Sequence, residues 1–493
     1  MRFATTAKKS TETKLTENGA FAYNTAGNGA LLDFFSLGGA LRPRSEAAIE
    51  NKFALAFNEN PLYATKALFY IGDIRHGGLG ERRTFKVCLR YLAKNYPHIV
   101  IKNLEHIAYF NRFDSLFCLV DTLAENKMWE FYKKQLWSDW ENMNNNKPIS
   151  LAAKWAPSEN ASSIETKRLA RRAIERMELT PRGYRKILST LRAYLKVTEV
   201  SMSAKKWEEI DYSTVPSRAM LTYNRSFFKH DYERFSNFIN KVKIGEEKIN
   251  ASVLFPYDLV HQVMSEVNNE VTEEQWKNLP NYVEGEKSFL IMADVSGSMS
   301  GRPMETSVGL ATYFAERNQG PWKNLYMTFS SDPRFINLDN HSSFAEKVNY
   351  VMNEGVGYST DLKAAFDKVL SHALKNNITQ EEMPEAIIVI SDNEIDCLYD
   401  NDNYYLGYRR YNLDFVETVK REFAAHGYKM PKLILWNVEA RNDTFLTQSP
   451  EVLLVSGQSV SVFRQLMGNL NGITAYQLMM ETLNNKVYEC ITV

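Results

Sequence analysis

The sequence predicts an α-helical repeat array followed by a doubly wound, mostly parallel α/β domain, because the hydrophobic periodicity changes once along the chain. Between residues 45 and 243, apolar residues recur every three to four positions, as on one face of a helix. From residue 288 onward, short apolar runs alternate with amphipathic segments, which is typical of parallel strands joined by helices. Charge changes with the pattern: residues 1–250 contain 40 Lys and Arg against 27 Asp and Glu (+13), and residues 251–493 contain 19 against 32 (−13).

Composition restricts the class of protein. No apolar run approaches the roughly 18 residues of a membrane span, and the N-terminus lacks the apolar stretch of a secretory signal. Four cysteines without CxxC spacing favour reduced thiols, so we expect a cytoplasmic protein with no membrane partner.

Three regions are predicted along the chain. Residues 1–30 are rich in Thr, Asn, Gly and Ala, which predicts a flexible N-terminal arm, either a mobile tail or an extended segment. Residues 31–284 form the helical domain, and an acidic, linker-like stretch near its end precedes the α/β domain at residues 285–493.

The helical domain is predicted to be a HEAT-like array, because amphipathic segments follow one another with short connections. The predicted helices are Glu46–Asn58, Pro61–Ile71, Arg82–Lys94, Ile99–Ile107, Asp114–Glu125, Met128–Asp139, Ile164–Met177, Arg182–Leu195 and Tyr232–Lys243. A polar stretch, Glu199–Tyr223, is predicted as a long loop.

Basic residues in this half make it a candidate for binding polyanions. The glycine-rich segment Gly72–Arg83 carries Arg75, Arg82 and Arg83, which suit phosphate, although an ordinary helix–helix turn explains it equally well. Arg112 lies among aromatic residues, where a buried ion pair with Asp114 competes with a base-stacking role.

Two consecutive helices and one loop carry the densest positive charge. The first helix presents Lys167, Arg168, Arg171 and Arg172, and the next adds Arg182, Arg185, Lys186 and Arg192. This arrangement indicates a nucleic-acid surface, against the alternatives of a solvated helix face and of docking onto the acidic half. In the polar loop, Lys205 and Lys206 precede Trp207, a combination that suits single-stranded nucleic acid.

In the α/β domain, a buried-strand pattern at Phe289–Ala293 ends at Asp294, followed by Ser296 and Ser298. Ligands bind beyond the carboxyl ends of strands in such sheets. A carboxylate and two hydroxyls there are hard oxygen ligands, which suit Mg²⁺, Ca²⁺ or Mn²⁺ rather than Zn²⁺.

The stretches Asp294-x-Ser296-x-Ser298, Ser359-Thr360-Asp361 and Ser391-Asp392-Asn393-Glu394 together resemble the metal-ion-dependent adhesion site of von Willebrand factor A domains. The resemblance implies that Ser296 and Ser298 bind the ion directly, that Thr360 and Asp392 supply further oxygens, and that Asp294 binds directly or through water. It also implies a protein partner that contributes an acidic group to the ion.

A further likeness is carried by the segments DIRHGGLGER (73–82), YFNRFDSL (109–116), SMSAKKW (201–207), VPSRAM (215–220), HDYERF (230–235), SDNEI (391–395) and VSGQS (455–459). With the order of a basic helical half and such a domain, they resemble the Ro ribonucleoprotein (TROVE) family, and more nearly an uncharacterised family with the same layout. In the Ro family the helical repeats close into a ring that binds structured RNA outside and single-stranded ends inside. By this resemblance Arg75, Arg82, Arg83, Arg171, Arg172, Lys205 and Lys206 are candidates for RNA contact.

The sequence contains no P-loop, no GxSxG, no HExxH and no Cys/His cluster at zinc spacing, so we expect a non-catalytic protein. The leading hypothesis is an RNA-binding protein with a metal-dependent protein-binding domain. The alternative is a protein-interaction or assembly scaffold that uses the metal site and has no RNA role.

Overall fold

A computed structural model describes residues 13–265, 270–283, 288–329, 332–354, 360–396, 414–463, 466 and 472–493. It confirms a helical array followed by an α/β domain. In the α/β half, the sequence also predicts a loop at Glu354–Ser359 and a helix at Ser461–Met467, and both lie partly outside the described residues. Within those residues, no helix is long and apolar enough to cross a membrane.

The helical half consists of consecutive helices with short connections. They are α1 Ala30–Leu37, α2 Glu46–Glu59, α3 Pro61–Gly72, α4 Arg82–Asn95, α5 Pro97–Lys102, α6 Leu104–Phe110, α7 Glu125–Asn144, α8 Ala152–Trp155, α9 Ile164–Arg176, α10 Pro181–Tyr194, α11 Thr198–Ser203, α12 Ser217–His230, α13 Tyr232–Lys243, α14 Pro256–Met264 and α15 Glu270–Lys277. Local sequence fixes several starts: the Asn60 side chain accepts the Tyr63 N–H at 3.1 Å, and Pro61 occupies the first turn of α3.

Several predicted segments differ from the structure. The helix predicted at Ile99–Ile107 is divided at Asn103 into α5 and α6. In place of the helix at Asp114–Glu125 there is a short 3₁₀ turn, Phe113–Leu119, and Asp121 (φ 64°) then prevents helical continuation before α7. The polar loop ends early because α12 begins at Ser217 and buries Phe227. The linker-like stretch contains α15, which is held by Trp276 stacked on Phe344 at a ring-centroid distance of 3.8 Å.

The α/β domain is built on a sheet whose strands, within the described residues, follow the order β5-β4-β3-β6-β7-β8. The strands are β3 Phe289–Asp294, β4 Leu325–Phe329, β5 Arg334–Asn337, β6 Ala386–Ser391, β7 Lys432–Asn437 and β8 Leu453–Ser456, and the helices are α16 Arg302–Arg317, α17 Phe344–Glu354, α18 Leu362–Lys375, α19 Phe415–Ala425 and α20 Ala475–Leu483. All neighbouring strands are parallel except the edge strand β5, which the sequence did not predict.

The chain crosses between β3 and β6, because β4 lies on one side of β3 and β6 on the other. Ala293 is in register with Ile390, so Asp294 and Ser391 end their strands at the same edge of the sheet. A topological switch point of this kind is where α/β sheets bind ligands.

The two halves share one continuous apolar core, and a second, smaller core surrounds Phe227 and Phe235. Helix α14 packs closely on α16: a Cβ added at Gly309 would lie 3.0 Å from the Pro256 backbone. At another contact between the halves, Arg44 and Lys52 each lie 3.4 Å from the Asp443 carboxylate.

The described part of the N-terminal arm is a hairpin of β1 Thr13–Leu15 and β2 Phe21–Tyr23. Tyr23 exchanges two backbone hydrogen bonds with Phe445, at 2.8 and 3.0 Å. Of the two alternatives for the arm, residues 13–23 correspond to the extended segment, because backbone and side-chain hydrogen bonds hold them against the α/β domain.

Candidate metal site and nucleic-acid interface

Two buried carboxylates meet at the carboxyl ends of β3 and β6. The Asp294 carboxylate accepts the Ser391 hydroxyl at 2.6 Å and the Ser296 N–H at 3.0 Å. The Asp392 carboxylate accepts the Glu394 N–H at 3.0 Å. These bonds fix both side chains in place, with 0% of Asp294 and 1% of Asp392 exposed.

Hydroxyl groups complete the cluster that the sequence predicted. Ser296 precedes the 3₁₀ turn Gly297–Met299 and Ser298 lies within it, and their Oγ atoms lie 3.0 Å apart. Thr360 is buried, and its backbone is held by Asp396, whose carboxylate accepts the Thr360 N–H at 2.8 Å.

The electrostatics of this cluster favour a cation. Burial, with the neighbouring charge of Asp392, raises the pKa of Asp294 to about 7. Within the described residues there is no group of three or more His, Cys, Asp or Glu placed to hold a metal ion. The set is instead two carboxylates with hydroxyl oxygens, and this donor chemistry fits a hard divalent cation.

Sequence reasoning missed Arg441, which follows β7. Its guanidinium donates to the Asp392 carboxylate, and its other amino group lies 3.5 Å from a Glu17 oxygen of the N-terminal hairpin. Burial raises the pKa of the nearby Glu439, an effect that Arg441 opposes and Asp392 reinforces. No local signal identifies Arg441, since its partners are remote in sequence.

Most of the predicted RNA-contact arginines are used inside the protein. Asp114 pairs with Arg82 at 2.9 Å and with Arg112, whose guanidinium also stacks 3.6 Å from the Trp155 ring centroid. These contacts favour the buried-pair alternative for Arg112.

The glycine-rich segment is likewise tied down. Arg83 donates to the carbonyls of Arg42 and Arg44 at 2.8 and 2.7 Å. Arg75 donates to the carbonyl of Asn111 at 3.2 Å. These bonds favour a structural turn, since they occupy the side chains that would meet phosphate.

The predicted basic residues of α9 fall into two groups, paired and unpaired. Arg172 binds the Glu125 carboxylate with bonds of 2.6 and 2.5 Å and also pairs with Asp121 at 2.8 Å. The side chains of Lys167, Arg168 and Arg171 have no hydrogen-bond or ion-pair partner within the described residues. In the polar loop after α11, Lys206 pairs with Glu209 at 2.5 Å, and the exposed side chain of Lys205 has no such partner among the described residues.

Helix α10 borders a cavity of about 540 Å³ that the sequence could not predict. Arg192 lines this cavity and donates to the carbonyls of Ala153 and Ala156, each at 2.8 Å. Arg185 pairs with Glu159 at 2.7 Å. Arg182 and Lys186, one helical turn apart, line the cavity as exposed cations without partners in the described residues. We call Lys167, Arg168, Arg171, Arg182 and Lys186 the basic surface.

The family model for a domain of unknown function, DUF2828, matches residues 16–113 and 126–286, which is more than half of the chain. The chain belongs to the DUF2828 family. A second model for a domain of unknown function, DUF7788, matches residues 288–487. The boundary between the two matches agrees with the change of periodicity near residue 288, and the more specific likenesses to Ro proteins and von Willebrand A domains stay predictions.

Two known proteins are similar to this DUF2828 chain. An uncharacterised protein of Acanthamoeba polyphaga mimivirus is 28% identical over 497 residues, covering 92% of this chain and 84% of the relative. The crystal structure of the Deinococcus radiodurans RO (RSR) protein is 13% identical with a TM-score of 0.44, covering 93% of this chain and 99% of that one. A likeness of this size leaves function to be argued from the chain's own residues.

Proposed function

We propose that this protein is a non-catalytic RNA-binding protein whose basic surface binds RNA and whose α/β domain binds a protein partner through a divalent cation. The observation that carries the RNA proposal is the basic surface itself: five cations on two adjacent helices, without partners in the described residues, two of them lining a cavity of about 540 Å³.

Unpartnered cations support RNA binding because polyanion affinity comes from phosphate neutralisation and counterion release. A guanidinium already paired with a carboxylate contributes less, since the existing bonds must first be broken. The basic surface differs in this respect from Arg82, Arg112 and Arg172.

Docking of the two halves uses other cations. Arg44 and Lys52 of the helical half pair with Asp443 of the α/β domain. The basic surface takes no part in these contacts, so its charge is available to an external polyanion. RNA is favoured over DNA by the single-strand features of the sequence and by its likeness to the Ro family, both of which remain predictions.

The test is filter binding of a labelled RNA hairpin with a single-stranded 3′ extension to nucleic-acid-free protein. Charge reversal of Arg168 and Arg171 to Glu should weaken binding by roughly tenfold or more at physiological salt, because two phosphate contacts become repulsive. Reversal of Lys420 and Lys429, which are exposed on the acidic half, makes the same charge change and should have a much smaller effect.

Absence of RNA retention by the wild-type protein even at low salt would eliminate the RNA role. Equal weakening by both double variants would show that net charge, rather than the basic surface, controls binding. Duplex DNA of equal length in the same assay tests the preference for RNA.

The second part of the proposal, and the basis of the scaffold alternative, is the cluster at the strand ends. Asp294, Ser296, Ser298, Thr360 and Asp392 would hold Mg²⁺ or another hard cation. A cation held by few carboxylates and several neutral oxygens stays attractive to an acidic group from a partner. If RNA binding fails while cation binding is lost in an Asp294 variant, the scaffold function alone is supported.

A further inference from the structure

We propose that the N-terminal hairpin and Arg441 form an internal cover over the strand-end cluster, which competes with a divalent cation and with the acidic partner that the cation would recruit. This inference rests on the proposed metal site. It adds a regulatory element built from this chain's own residues.

The turn of the hairpin is seated on the loop that follows β6. The Thr16 hydroxyl donates to the Ile395 carbonyl at 2.7 Å, and the Glu17 N–H donates to the Glu394 carboxylate at 2.6 Å. The Asn18 amide donates to the Glu394 carbonyl at 2.6 Å and lies 3.5 Å from the Thr360 hydroxyl, one of the predicted ligands. Direct contact with the predicted ligand loops places the hairpin at the cluster itself.

The receiving surface is shaped for this turn. Glu394 is 0% exposed and also accepts the Thr444 hydroxyl at 2.8 Å. Asn442 donates to a Glu17 oxygen at 2.8 Å and lies 3.3 Å from Glu394. Leaving a buried carboxylate without its hydrogen-bond donors costs free energy. Because the hairpin backbone supplies one of the donors to Glu394, this bond stabilises the docked position of the hairpin.

Arg441 links the hairpin to the cluster. One amino group donates to Asp392, and the other lies 3.5 Å from Glu17. The guanidinium therefore supplies positive charge to a carboxylate that the divalent cation would use. Because two cations cannot fully share one carboxylate oxygen, Arg441 and the ion compete.

The cluster is closed in this state. Asp294, Ser296, Thr360 and Asp392 are each no more than 1% exposed, and of the predicted ligands only Ser298 is partly exposed. An acidic side chain from a partner needs direct access to the ion. Withdrawal of the hairpin opens the side of the cluster next to Thr360, so the apparent affinity for a partner is reduced by the fraction of closed molecules.

The test measures Mn²⁺ binding to the full chain by electron paramagnetic resonance, with Mn²⁺ alone as the probe. Arg441→Gln should tighten Mn²⁺ binding by about tenfold, because a charged competitor is removed. Arg441→Lys retains the charge and should stay closer to the wild type. Glu17→Gln removes the carboxylate that holds Arg441 at the hairpin and should tighten binding by a smaller factor, about two- to threefold.

Matched controls use exposed ion pairs remote from the cluster. Arg90→Gln, which breaks the pair with Glu46, and Glu451→Gln, which breaks the pair with Lys420, should leave Mn²⁺ affinity unchanged. Thermal melts verify that each variant is folded. Hydrogen exchange at residues 16–19 provides a second readout and should speed up in Arg441→Gln when Mn²⁺ is added.

The outcomes separate the cover from the metal site. If Asp294→Asn abolishes Mn²⁺ binding but Arg441→Gln and Glu17→Gln leave it unchanged or weaker, the cover is refuted and the metal site stands. If neither the wild type nor Arg441→Gln binds Mn²⁺ through Asp294, both the cover and the proposed metal site are refuted.

Discussion

The strand-end cluster and the basic surface use charge in opposite ways. In the cluster, carboxylates are buried and each is held by at least two hydrogen bonds before any ligand arrives. On the basic surface, the cations are exposed or partly exposed and have no partner in the described residues. The cluster is therefore preorganised for one small ligand, whereas the basic surface is suited to a large and adaptable polyanion.

The largest expected effect tests the preorganised cluster. Asp294→Asn keeps the shape of the side chain but removes its charge and replaces one oxygen by an NH₂ group. Mn²⁺ affinity measured by isothermal titration calorimetry should therefore fall by about 100-fold or more. RNA affinity in the filter assay should not change, because the basic surface is not altered.

Asp339→Asn is the matched control, since Asp339 is an exposed aspartate of the same domain that accepts from Asn324 at 2.9 Å. Its Mn²⁺ affinity should equal that of the wild type. Undiminished Mn²⁺ binding in Asp294→Asn would remove this carboxylate from the metal site, and a parallel loss of RNA binding would contradict the separation of the two regions.

An effect of intermediate size is expected at two neighbouring arginines on α9, one paired with carboxylates and one without a partner in the described residues. Arg172→Gln should lower the free energy of unfolding by about 2 kcal/mol, because Glu125, whose side chain is 7% exposed, loses a bidentate partner. Arg171→Gln should change stability by less than about 0.5 kcal/mol. Urea unfolding of both variants measures the difference.

RNA binding should show the reverse order. Arg171→Gln should weaken binding and reduce the slope of log affinity against log salt by about one, as expected for one lost phosphate contact. A correctly folded Arg172→Gln should keep the wild-type slope. If the slope falls equally in both variants, Arg172 also contacts RNA, and the distinction between paired and unpaired arginines on α9 is wrong.

The position of Asp294, Ser296 and Ser298 at a strand end was predictable from the sequence, whereas the pairing of the basic residues was not. Asp294, Ser296 and Ser298 follow a strand, so local periodicity and the topology of parallel sheets determine where they lie. The fate of Arg172 depends instead on Glu125, 47 residues away, and helical periodicity alone assigns Arg171 and Arg172 the same role.

Long-range contacts also explain what the sequence missed around the cluster. Arg441 meets Asp392 across 49 residues, and Asn442 meets Glu17 across 425. The composition of the N-terminal arm leaves a mobile tail and an extended segment as alternatives, because the groups that hold its turn lie far along the chain, in the loop after β6 and at Asn442. The two-part fold was predictable because its signals are local. They are the helical periodicity, the alternation of short apolar runs with amphipathic segments, and the change of charge near residue 250.

The smallest expected effect concerns the arginines that the helical half uses internally. Burial opposes ionisation of Asp114, but Arg112 and Arg82 outweigh it and lower its pKa. A carboxylate whose pKa is lower in the folded state stabilises the fold above its unfolded pKa of about 4, and this contribution is lost as the pH falls through the folded pKa. Asp114→Asn should therefore destabilise the protein more at pH 6 than at pH 3, with a difference of less than about 1 kcal/mol.

Urea unfolding of the wild type and Asp114→Asn at the two pH values measures this difference. Asp367→Asn is the control, because the exposed Asp367 pairs with Lys363 one turn away, Lys363 keeps its second partner Glu422, and the change should cost only a few tenths of a kcal/mol at either pH. A destabilisation by Asp114→Asn that is the same at both pH values would show that Asp114 acts through packing or neutral hydrogen bonds. In that case Arg82 and Arg112 would not be committed to the charge of Asp114. They would then be candidates for RNA contact in the same way as the basic surface.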